Sequence, residues 1–166
     1  MNISLLSNKT IRALHTFACE PVHPAWVNEL TTPFATSIAI LELSDGELVS
    51  VAPCEIDLDP GQYPSLGLVL EQCDRTALRW DTKSGETLFA QPLAAASTLL
   101  PFTSLRVETS DPLREGNVSE IRLIGQQQEQ LVFRHIMPPM TLGIACVGAD
   151  QAPDTLVKPM PLRGAV

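Results

Sequence analysis

The dipeptide Asp45-Gly46 sits between two runs whose apolar residues recur with period two, and this arrangement restricts the chain more than any other feature. Asp-Gly supplies the positive backbone angles of a tight hairpin turn, so its flanks are driven to pair as antiparallel strands. On the incoming side Ile38, Ile40 and Glu42 alternate with Ala39, Leu41 and Leu43, and Leu48-Val49-Ser50-Val51 returns. Both faces of the incoming run are largely apolar. Lys83-Ser84-Gly85, between Ala77–Trp80 and Thr87–Ala90, gives a second hairpin signal. A third is the glutamine-rich turn between Glu120–Ile124 and Gln130–Arg134.

Long segments of helical period are scarce. Residues 8–20 are the exception: Ile11, Leu14, His15 and Ala18 fall at i, i+3, i+4 and i+7, which predicts a short helix ended by Pro21 and Pro24. Ala94–Leu100 is ambiguous, since its alanines favour helix and its position between strands does not. The expected fold is mainly β, an antiparallel twisted sheet or small barrel-like sandwich of about seven to nine strands with a short N-terminal helix.

Two stretches resemble each other. Residues 38–70 and 120–146 each run strand, turn, strand, proline-containing loop, then Ser/Thr-Leu-Gly-aliphatic, at Ser65–Leu68 and Thr141–Ile144, offset by 76 residues. Such a repeat predicts two β-meander halves. A length of 166 residues suits one core. The reading is therefore a single domain over 1–147, followed by a tail over 148–166 that carries Pro153, Pro159 and Pro161.

Charge narrows the partners. Eleven basic against 19 acidic side chains leave a formal net charge of −8 and a pI near 4.7. The arginines are scattered among acids, so nucleic acid is not an expected partner. No apolar run reaches the length of a membrane helix; the longest, Gln91–Phe102, is broken by Pro92 and Pro101. With no signal-peptide pattern at the start, the expected location is the cytoplasm. Cys19, Cys54, Cys73 and Cys146 have no close C-x-x-C spacing and are expected to be reduced and mostly buried.

Candidate chemistry is sparse. His15, Cys19 and His23 are four residues apart in series and on one helix would line a face, but Pro21 interrupts it and no fourth zinc ligand is near. His135 and Cys146 make a nucleophilic dyad if adjacent strands bring them together, without any local nucleophile motif. No phosphate-binding glycine loop occurs, and no cofactor is expected. Glu55, Asp57 and Asp59 alternate, so their carboxylates would share one strand face, closed by Pro60-Gly61 and followed by the aromatic Tyr63. Glu55, Asp57, Asp59 and Tyr63 are the expected recognition surface for a basic protein partner, as in immunity- or chaperone-like acidic proteins. Two alternatives stand beside this reading. One is an enzyme using His135 with Cys146 or a carboxylate, and the other is a small-molecule-binding or structural β-barrel subunit.

Overall fold

The computed structural model describes residues 2–18, 20–21, 34–56, 65–110, 118–136 and 140–148. They form two antiparallel sheets packed face to face and a small two-stranded ribbon. In chain order the strands are β1 (Thr10–Thr16), β2 (Glu20–Pro21), β3 (Phe34–Thr36), β4 (Ala39–Leu43), β5 (Leu48–Ile56), β6 (Ser65–Cys73) and β7 (Arg79–Asp81). They continue as β8 (Thr87–Phe89), β9 (Gln91–Pro92), β10 (Phe102–Thr103), β11 (Arg106–Thr109), β12 (Glu120–Ile124), β13 (Gln130–Ile136) and β14 (Thr141–Val147). The first sheet has the order β10-β1-β4-β5-β6 with β9 also against β1, and the second β11-β12-β13-β14-β3-β2. Neither closes on itself, so the mainly β expectation resolves to a sandwich and not a barrel. The strands outnumber the expectation because several are only two to four residues long.

Each hairpin signal makes its turn. Gly46 takes φ +88° and donates to the Leu43 carbonyl at 3.0 Å, while Asp45 Oδ1 accepts from the Glu47 amide at 3.2 Å. Gly85, at φ +86°, closes the β7–β8 ribbon in the same way. The β12–β13 turn depends on Gly125 for a different reason. A Cβ there would lie 2.5 Å from Cε2 of the buried Phe102 and would also overlap Glu129.

The two similar stretches become corresponding parts of the two sheets. Residues 38–70 contribute the meander β4-β5-β6 to one, and residues 120–146 form β12-β13-β14 in the other. Gly67 and Gly143 sit in the third strand of each, Gly67 next to the core residue Leu68 and Gly143 between the core residues Leu142 and Ile144. Between the sheets, Leu41, Val49, Val51, Leu68 and Leu70 meet Ile121, Leu123, Leu131, Phe133, Leu142 and Ile144 in one continuous core.

One expectation is corrected at the N-terminus. Residues 8–20 do not form a helix: the helical element is a 3-10 turn at Ile3–Leu5, and Thr10–Thr16 is strand β1. The pairing explains the misleading period. Ile11 faces Leu43 and Ala13 faces Glu42, so β1 carries an extra residue at Arg12. That bulge resets the alternation and sends both Ile11 and Leu14 inward although they are three apart. A bulged strand thus imitates the i, i+3 spacing of a helix. The ambiguous Ala94–Leu100 stretch opens with a 3-10 turn, Ala94–Ala96.

The second apolar face of β4 is also covered. Ile40 points away from the inter-sheet core yet is fully buried, as is Leu48 to within 3%. The chain leaves β6 at one edge, passes through a 3-10 turn at Arg75–Leu78 and the β7–β8 ribbon, and rejoins the sheet as β9 beside β1. This crossing places Ala77 and Trp80 beside Ile38 and Ala52 on the outer face. Among the described residues no helix is long and apolar enough to cross a membrane.

Candidate functional site

The acidic row begins in β5. Glu55 is exposed, opposite Leu66 in the register, one residue before the strand ends. Asp57, Asp59 and Tyr63 lie in the β5–β6 connection, outside the described residues.

The ion pairs show how charge is distributed on the described surface. Lys9 bonds Asp45 at 2.6 Å and Glu47 at 3.2 Å, Arg79 bonds Asp81 at 2.9 Å, and Arg106 bonds Glu108 at 2.9 Å. On the outer face of the second sheet, half-buried Arg122 and Arg134 both reach Glu120. Among the described residues Glu55, Glu71, Asp74, Glu86 and Glu129 have no cationic partner within 4 Å, against only Arg75 and Lys83 on the basic side. Glu55, Glu71 and Asp74 belong to the β5–β6 pair or directly follow it. Asp74 accepts from the Thr76 hydroxyl and, at 2.8 Å, from its amide. Those bonds hold its carboxyl below the ordinary carboxylate value, so it stays charged.

The other sequence candidates separate in space. His15 is on β1 and not on a helix; its Nε2 lies 3.1 Å from Glu42 Oε2, with Arg12 3.9 Å from the same carboxylate group. Cys19 and His23 fall outside the described residues. Among the described residues no three His, Cys, Asp or Glu side chains converge as a metal site. His135 and Cys146 are on adjacent strands, as a dyad needs, but the register parts them. Cys146 faces Leu131 and His135 faces Leu142, four residues along β13, or about 13 Å. They therefore form no dyad.

His135 shares the inward face of Phe133, and its Nε2 is buried with no hydrogen-bond partner among the described residues. Burial pushes its pKa below the ordinary 6.5. Cys54 and Cys73 are free thiols, and they and Cys146 are half-buried instead of fully buried. Burial raises the thiol pKa of Cys54 and Cys73, which leaves less of the reactive thiolate.

A feature not read from the sequence is an apolar groove of about 290 Å³ walled by Phe17, Ala35, Thr36, Trp80, Leu88 and Met140. Phe17 meets Trp80 edge-to-face with ring centroids 6.0 Å apart, and Trp80 is still 54% exposed. Trp80 and Leu88 are cross-strand partners, so they occupy the same face of the ribbon. That pairing was readable from the Lys83-Ser84-Gly85 hairpin. The arrival of Phe17 from β1 and Met140 from before β14 was not, because it depends on how the ribbon crosses the sheet. Chemically the groove offers a flat ring and aliphatic walls, suited to an apolar side chain or a small apolar molecule. Compared with known proteins, the chain matches no family model, no curated protein and no solved structure.

Proposed function

We propose that this chain is a non-enzymatic acidic binding module for a basic protein partner, of the immunity- or chaperone-like kind. The observation that supports the reading is the surplus of exposed carboxylates without cationic partners among the described residues, Glu55, Glu71, Asp74, Glu86 and Glu129, against only Arg75 and Lys83 on the basic side. A net charge of −8 raises encounter rates with a cationic surface. Asp57, Asp59 and Tyr63, in the connection between β5 and β6, complete the proposed recognition surface. The separation of His135 from Cys146 takes away the dyad on which the enzymatic alternative leaned.

The test is purification from the native source followed by association kinetics with any stoichiometric basic partner. An Asp57→Ala, Asp59→Ala double variant should associate more slowly and with a flatter dependence on salt, at unchanged thermal stability. Identical rate and salt slope in the variant would remove these carboxylates from the surface. A second reading, small-molecule binding, is favoured by the Trp80 groove alone; a ligand seated there would change Trp80 emission.

A further inference from the structure

The edges of the two sheets are unequal. β2, β9 and β10 are two residues long and β11 four, and short edges are one of the ways in which proteins discourage unwanted pairing. β6 is different. It is the terminal strand of its sheet, nine residues long, and paired with β5 without a register shift from Ser65 to Cys73. The segment holds no proline, no lysine and no bulge, the usual protections of an open edge.

The backbone directions follow from one bond. Leu68 donates its N–H to the Val118 carbonyl at 2.7 Å, on the side away from β5. In an antiparallel pair, groups facing one side recur every second residue, so the N–H and C=O of Leu70 and Gln72 also face outward. Among the described residues nothing bonds them. The side chains along this edge are chemically one-sided. Glu71 and Gln72 are exposed, Asp74 follows, and no basic residue occurs from Ser65 to Asp74.

We infer that β6 receives an extended, basic segment of the partner as an added strand, with Leu70 and Gln72 exchanging backbone hydrogen bonds and Glu71 facing a cationic side chain. This inference rests on the proposed function and specifies its mode. Main-chain bonds to an open edge supply affinity in strand addition, and alternate side chains supply selectivity. An opposite-charge pair directly across two strands lies within about 5 Å and is stabilising, whereas a second copy of this chain would set Glu71 and Asp74 near their own like charges.

The experiment uses the whole chain and a short alternating Lys-Val peptide, with a second peptide of the same sequence N-methylated at alternate residues so that it keeps its charge but cannot donate along one edge. The unmethylated peptide should bind, slow amide exchange at Leu70 and Gln72, and bind roughly thirtyfold more tightly than the methylated one, the worth of two backbone hydrogen bonds. Gln72→Pro, which removes an outward N–H and leaves pairing with β5 intact, should reduce binding to the methylated level. Equal binding of the two peptides would show attraction by charge alone, overturning strand addition while the basic-partner reading stands. Failure of both to bind, together with no association with any basic protein, would overturn both. Dimerisation abolished by Gln72→Pro would assign the edge to a second copy and likewise overturn the inference.

Discussion

Deleting the same aromatic ring at two positions separates the core from the surface of this sandwich. Phe133, in β13, is completely buried between the sheets, whereas Phe89, in β8, is 61% exposed. A buried phenylalanine removes about 150–250 Å² from water, worth about 4–6 kcal/mol at about 25 cal/mol per Å². Alanine keeps the Cβ, and the strands of the first sheet packed against β13, β5 and β6 with their core residues Val51 and Leu68, are held by their own ladder, so the hole closes only partly. Phe133→Ala should therefore cost about 3–5 kcal/mol. For a chain of this length each kcal/mol shifts Tm by about 2–4 °C, so the midpoint should fall by about 6–20 °C. Phe89→Ala should cost under about 1 kcal/mol. Urea unfolding followed by circular dichroism reads both, with an unchanged m-value showing that the unfolded states are comparable. Equal losses in the two variants would refute the assignment of Phe133 to an inter-sheet core.

Gly125→Ala should destabilise by about 1–3 kcal/mol, because its Cβ would press on buried Phe102, and a wild-type Tm would refute that contact. Acid should expose the burial of His135. Its folded pKa is lower than the unfolded value near 6.5, so its full contribution is present above pH 6.5 and is lost as the pH falls through the folded pKa. The difference between wild type and His135→Gln in urea midpoint should therefore change between about pH 7.5 and 5, and a pH-independent difference would contradict the buried imidazole.

Local chemistry made part of this protein legible in advance. Asp45-Gly46 and Lys83-Ser84-Gly85 act through the backbone angles of their own few residues, so their hairpins appear where the sequence places them. The two Ser/Thr-Leu-Gly stretches likewise predict matching strands, and they occupy the third position of their two meanders. The exposed Glu55 was readable as well, since a charged side chain near the end of a strand finds water without help from distant residues. Other features were decided at long range. Residues 10–16 have helical spacing taken alone, but pairing with β4 and a bulge at Arg12 hold them extended. The outer face of β4 reads as apolar in the sequence, but what lies against it, Ala77 and Trp80 beside Ile38 and Ala52, depends on the path of the chain after β6. His135 and Cys146 are parted by a strand register, and among the described residues β6 has no strand beyond it because it comes last in its sheet. A turn is set by the torsions of adjacent residues, whereas register, strand order and sheet cover are set by which distant apolar faces bury each other, and many pairings satisfy the same alternating pattern.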